Sequence, residues 1–215
     1  MADRLDMSMM FAMHDALRRE LVQVARTASR RDGDPARLLQ ATLGWELFKK
    51  FLLVHHHCED DTLWPALRAH IAGIPDRVAL VDALEAEHAA IDPLLTAVDA
   101  AAADPDYGYQ RFGDIVDELV TKLTAHLAHE ERDGLPLIDA SLTPQEWQGF
   151  AQDHTERIRS DAPRYMPWLL NEASPQTLDA VLSKFPPPLL AAFREQWGPK
   201  YAALDIWTAA SGPAA

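Results

Sequence analysis

A single cysteine, Cys58, stands among 215 residues, so no disulfide can form within the chain. Nothing therefore marks an oxidising compartment. Basic residues are also scarce. Twenty Lys and Arg face 33 Asp and Glu, a net charge of −13 with the nine histidines neutral. That balance argues against nucleic acid as a partner, because a phosphate-binding face needs clustered cations. It equally disfavours an anionic membrane surface. No apolar run approaches the roughly 20 residues that span a bilayer. The opening Met-Ala-Asp-Arg-Leu-Asp puts acids where a signal peptide carries basic residues. The cytoplasm is the expected compartment. No apolar-polar alternation persists, and no Asn-Gly or Asp-Gly turn joins two such runs, so strands are not expected.

What remains is helical material. The apolar fraction of 48% and charged fraction of 25% are ordinary for a globular chain. Alanine, leucine and glutamate favour helix throughout. Proline divides the chain unevenly: five fall in residues 1–135 and ten in 136–215. The first part therefore permits long helices, and the second reads as short helices joined by tight turns.

Four long helices are expected. The first runs from about Met7 to Arg31, and the second from Pro35 toward Ala72, kinked or split near Pro65. The third runs from Pro75 to about Ala103. The fourth runs from Tyr109 to a stop at Gly134, since glycine commonly ends helices. Short connections make neighbours antiparallel, which gives an all-α, up-down-up-down bundle over residues 1–135. Residues 136–215 form a separate helical extension. Thr143-Pro144-Gln145-Glu146 is a capping box with proline at the first helical position. Ser174-Pro175 starts another helix, and Pro186-Pro187-Pro188 precedes one near Leu189–Trp197. Four of the six tryptophans (147, 168, 197 and 207) lie here, so the extension should pack on the bundle.

The histidines carry the chemistry. His55 and Glu59 stand four residues apart, as do His126 and Glu130. On a helix that spacing puts an imidazole and a carboxylate on one face, a turn apart. His14 and His55 lie 19 and 22 residues from the turn at Gly33. Glu59 and His88 lie 14 and 15 from Gly73, and His88 and His126 lie 17 and 21 from Pro105. At about 1.5 Å per residue, all four helices deliver a ligand to one layer. Four imidazoles and two carboxylates exceed the four donors of a structural zinc and suit iron, manganese or zinc. A dinuclear site bridged by both carboxylates uses all six and leaves a position open.

The other histidines read differently. His56 and His57 flank the ligand face and are expected to meet solvent or a helix neighbour. His129 could support the ligands, and His70 and His154 are read as surface residues. Cys58 should be a buried, inert thiol. Glu85-x-x-His88 matches a ferritin-like motif, but no second copy occurs on another helix.

The order His14, His55-x-x-x-Glu59, His88, His126-x-x-x-Glu130 resembles the hemerythrin-like, or HHE cation-binding, family over about residues 8–135. Flanking matches include His14-Asp15, Glu59-Asp60-Asp61-Thr62-Leu63-Trp64-Pro65, Glu87-His88, and Glu130-Glu131 before Leu135-Pro136. The resemblance implies two iron ions, oxo- or hydroxo-bridged, inside a four-helix bundle. One departure stands out. The oxygen-carrying members have a second histidine four residues after the third-helix histidine, where this chain has Asp92. That leaves four histidines, with Asp92 as a further candidate ligand, and moves the expectation away from simple oxygen transport. The expected partner is a small oxidant: dioxygen, hydrogen peroxide or nitric oxide. Two alternatives stand beside it, a di-iron oxygenase acting on an organic molecule and an iron or redox sensor.

Overall fold

The computed structural model describes residues 4–30, 34–104 and 108–208. Helix α1 (Ser8–Ala28) buries Met10, Met13, Leu17, Leu21 and Val24, spaced three and four apart, the pattern of one apolar helix face. The expected second helix is broken into several pieces. After α2 (Pro35–Gln40), Thr42 caps α3 (Leu43–Cys58) by accepting a hydrogen bond from the Trp45 N–H. A π-helical turn over Glu59–Leu63 then leads into α4 (Trp64–Ile71). Helix α5 spans Pro75–Ala103, as the sequence suggests, and continues through Pro93. Helix α6 (Gly108–His129) passes through a second π turn, Glu130–Gly134, into α7 (Leu135–Ser141).

Gly134 therefore does not stop its helix, contrary to the sequence expectation. Its bare Cα lets the chain pack closely. A Cβ there would lie 3.0 Å from Glu130 Cγ and 3.1 Å from Leu84 Cδ1. These two π turns precede a proline by the same interval. Pro65 and Pro136 each stand six residues after the glutamate that opens the turn. Proline has no N–H for the α-helical bond, and its ring crowds the carbonyl four residues back. The widened turn relieves that crowding. Its bonds run instead from Trp64 N–H to Glu59 C=O and from Leu135 N–H to Glu130 C=O.

Helices α5 and α6 lie along each other, α1 packs on α6, and α2–α4 pack on α5. The contacts Arg68–Asp82, Asp60–His88 and Lys49–Asp99 step down one helix as they climb the other, so these elements are antiparallel. The buried positions of α5 are Val81, Leu84, His88, Ile91, Leu95, Val98 and Ala101. Histidine 88 thus occupies a core position of an otherwise apolar stripe.

The rest of the chain forms α8 (Pro144–Ile158), α9 (Ala162–Leu170), α10 (Pro175–Leu182), α11 (Pro187–Ala192) and α12 (Gly198–Ala202). The Thr143–Glu146 capping box is formed in both directions. Tyr165, Trp168, Leu169 and Val181 join Leu17, Phe48 and Phe51 in one apolar core. Polar ties add to it. Arg19 donates to the carbonyls of Trp168 and Asn171, and Trp207 Nε1 donates to Glu20.

The Trp207 ring lies directly over Gly44. A Cβ on residue 44 would come within 2.5 Å of that ring, and the Gly44 N–H donates to the Ile206 carbonyl at 2.6 Å. Gly44→Ala should therefore push Trp207 off α3 and cost about 1–3 kcal/mol, as overpacking does. Denaturant unfolding checks this, and an unchanged midpoint would contradict it.

Candidate metal centre

The bundle has two apolar clusters with a polar layer between them. One contains Met13, Leu17, Phe51, Leu52, Ile91 and Leu123. The other contains Met10, Leu63, Trp64, Leu84 and Leu135. Between them lie His14, His55, His56, Glu59, His88, His126 and Glu130, each at most 2% exposed.

These side chains fall into two groups, each with ligand atoms within 4.8 Å of one another. His14, His55, Glu59 and Glu130 form one, and His56, His88 and His126 form the other. The carboxylates stand at the junction. Glu59 Oε1 lies 3.4 Å from His55 Nδ1, and its Oε2 lies 3.5 Å from His88 Nε2. Glu130 Oε2 lies 3.1 Å from His14 Nε2 and 3.9 Å from His126 Nε2. The structure thus brings together all six residues singled out in the sequence. It adds a seventh, His56.

Hydrogen bonds fix how the rings are turned. His14 Nδ1 meets Glu131 at 2.9 Å, His56 Nδ1 meets Asp92 at 2.6 Å, His88 Nδ1 meets Asp60 at 2.8 Å, and His126 Nδ1 meets Glu87 at 2.9 Å. An imidazole that donates Nδ1–H to a carboxylate presents a lone pair at Nε2. His88 Nε2 and His126 Nε2 then face each other at 3.1 Å, both as acceptors. Two acceptors repel, and a cation between them removes the conflict. Both oxygens of Glu59 and of Glu130, and Nε2 of His14, His55 and His56, are buried with no hydrogen-bond partner among the described residues. Buried polar atoms are seldom left so. Carboxylates that anchor the far nitrogen of each imidazole are the usual outer support of a metal site. The donor set therefore fits metal ions, with two carboxylates placed between two groups of imidazoles.

The electrostatics agree. Burial, then the neighbouring Glu130 charge, pushes Glu59 well above the usual carboxylate range. Burial alone would lower His14, but the Glu130 and Glu131 carboxylates raise it to about 9. Burial pushes His55 and His56 well down, so both are neutral and ready to coordinate. Without a cation the layer holds protons at Glu59 and His14 that ligation must expel. Filling it should release protons, that of His14 among them, and affinity should rise with pH. Calorimetry in buffers of different ionisation enthalpy measures this, and metal uptake with no proton release would contradict it.

The remaining candidates are placed as follows. Asp92 lies outside both groups, accepting from His56 and standing 3.6 Å from the exposed His57. His56 faces the interior, contrary to the sequence expectation, with its ring stacked on His88 at 3.9 Å. A signal for it existed, since it follows the buried Phe48 and Leu52 by eight and four residues. His129 shares Glu87 with His126. Cys58 is buried, its thiol donating to Asp153 and pushed well up by burial, which leaves no thiolate for the layer. His70 sits at the surface beside Glu146. His154 departs from its surface assignment. It lines a cavity of about 720 Å³ that also reaches His55, and burial lowers it to about 4.

Among the described residues, no helix is long and apolar enough to cross a membrane. Neither the curated proteins nor the solved structures contain a significant match to the chain. A family model described as the hemerythrin HHE cation-binding domain matches residues 6–138, a stretch that holds every residue of the buried layer. Matched over most of its length, the chain belongs to the hemerythrin HHE cation-binding family.

Proposed function

We propose that the layer holds two iron ions and that the centre binds or turns over a small oxidant: dioxygen, hydrogen peroxide or nitric oxide. The observation that supports this most strongly is the pair Glu59 and Glu130. Their four oxygens are buried with no hydrogen-bond partner among the described residues, and both side chains stand between the two histidine groups. In this reading His14 and His55 would hold one ion, His56, His88 and His126 would hold the other, and Glu59 and Glu130 would serve both. Imidazole and carboxylate donors without thiolate suit iron. When bound, the metal pair would supply electron exchange and an open coordination position.

The protein's part is positioning and exclusion of water. Glu131, Asp92, Asp60 and Glu87 hold the Nδ1 protons and aim each Nε2 into the layer. Such supports raise the basicity of the imidazole. The apolar clusters on either side leave the seven residues shielded from solvent. His56 also changes the weight of Asp92. The expectation of four histidines becomes five, because the second helix contributes two neighbouring imidazoles and Asp92 supports one of them.

The test is optical. Iron-loaded, anaerobically reduced protein is exposed in turn to dioxygen, hydrogen peroxide and nitric oxide. At least one should change the spectrum in the parent and in the surface control His70→Ala, and leave Glu130→Ala unaffected. No response in the iron-loaded parent would contradict the oxidant reading.

A further inference from the structure

The cavity beside His55 lies between α1 and the helices beyond residue 143, and of the metal layer's residues it is lined by His55. Its volume of about 720 Å³ falls in the range of pockets that enclose small organic molecules. The thioethers of Met9, Met10 and Met13 line one side, and Trp147, Phe150 and Trp197 stand in the other walls. Methionine sulfur makes favourable contacts with aromatic rings, and aromatic walls favour offset or edge-on stacking. The lining thus suits a flat, apolar ring system.

Among the polar side chains in this lining are His154 and Tyr165. His154 follows the buried Phe150 by four residues and precedes the buried Ile158 by four, so it stands on the inward stripe of α8. Its ring lies 5.5 Å from that of Tyr165, and it has no hydrogen-bond partner among the described residues. The Tyr165 hydroxyl is buried and, among the described residues, reaches only the Met13 sulfur, at 3.7 Å. A thioether is a weak acceptor, so this hydroxyl too is poorly satisfied. A buried hydroxyl ordinarily has a stronger partner, and a ligand carrying one hydroxyl would give a partner both to it and to the half-buried His154.

The rim does not call for an anion. Of the two cations in the lining, Lys184 is already engaged by Asp6 at 2.5 Å and by Ser8, and Arg159 stands 3.9 Å from Glu156. The chain as a whole carries a net charge of −13, which repels acids approaching from solution.

We propose that this cavity binds a neutral, apolar aromatic molecule bearing a hydroxyl group, a phenol by chemical class, with the hydroxyl held between His154 and Tyr165. The site adjoins the metal layer through His55 but does not depend on which ion the layer holds. A neutral imidazole offers one acceptor to the ligand hydroxyl, and the tyrosine hydroxyl offers one donor. The molecule is thereby held end-on, with its ring among the methionine and aromatic side chains.

The test is calorimetric titration with three probes, 4-propylphenol, 4-propylanisole and 4-propylbenzoate, on protein with and without metal. 4-Propylphenol should bind once per chain, at least about tenfold tighter than the methyl ether or the acid, the factor expected of one well-placed hydrogen bond. The preference should be the same in both preparations, so a failure of the metal reading would leave this result readable. His154→Phe should abolish the preference for the phenol over the ether. Ala151→Trp, at another lining position, should weaken all three probes at least tenfold. Equal binding of phenol and ether by the parent protein would overturn the proposal, and it needs no variant to fold. Undiminished phenol binding by folded Ala151→Trp would overturn it as well.

Discussion

Replacing Glu59 by methionine is expected to make the metal-free protein more stable and the metal-loaded protein much less so. Glu59 is fully buried, and neither oxygen has a hydrogen-bond partner among the described residues. Burial and Glu130 hold its pKa well above the ordinary range. A carboxyl whose folded-state pKa is raised keeps a proton that the unfolded chain gives up. The folded state is therefore penalised increasingly as pH rises above the unfolded value of about 4.5. Methionine has a similar unbranched shape and no such penalty, and exchanging buried ionic groups for apolar ones commonly stabilises by about 1–4 kcal/mol. The gain should grow from pH 5 to pH 8. With metal the order reverses. At a free concentration a thousandfold above the dissociation constant, a bound ion stabilises the parent by about 4.1 kcal/mol. For a chain of this length that is roughly 8–16 °C in Tm, and most of it should vanish in Glu59→Met. Thermal unfolding of both proteins with and without iron decides the matter. An equal metal-induced rise in both would remove Glu59 from the site.

The second large effect concerns His56. Its ring stacks on His88, and its Nδ1 bonds to Asp92 at 2.6 Å, so its Nε2 is directed into the layer with no hydrogen-bond partner among the described residues. His56→Leu should reduce the metal content from two ions per chain to one. The group of His14, His55, Glu59 and Glu130 is left intact by the change. Asp92→Asn should keep both positions but weaken one by about 10–100-fold, the usual consequence of losing an outer carboxylate. His57→Leu is the control, since His57 is 56% exposed and should leave the content unchanged. If His56→Leu still retains two ions, the fifth imidazole plays no part in binding.

The legibility of the chain differed by element for physical reasons. The stripe of α5 and the boundaries Pro75 and Ala103 could be read directly, because its three-and-four spacing is regular and proline opens it. The second helix could not. Its break at Ala41–Thr42 depends on the Thr42 cap, and the π turn after His55 depends on how Pro65 is relieved. Gly134 was misleading because glycine ends helices and also permits close packing, and the approach of Leu84 and Glu130 that decides between the two is tertiary. The spacings that place His14, Glu59, His88 and Glu130 in one layer could be computed from turn positions alone. Those spacings set aside His56 because adjacent residues on a helix diverge by about 100°. In the structure both His55 and His56 are buried, one in each group, so the pair spans the width of the layer. His154 was assigned to the surface because nothing in the bundle pattern reveals where α8 comes to rest. Its spacing from Phe150 and Ile158 was the available signal.

The most direct test of the account is the number and position of metal ions in the iron-loaded protein, read by elemental analysis together with anomalous diffraction at the iron edge. The account predicts two ions per chain, one against His14 and His55 and one against His56, His88 and His126, with Glu59 and Glu130 between them. A single ion per chain, or ions bound away from Glu59 and Glu130, would contradict it.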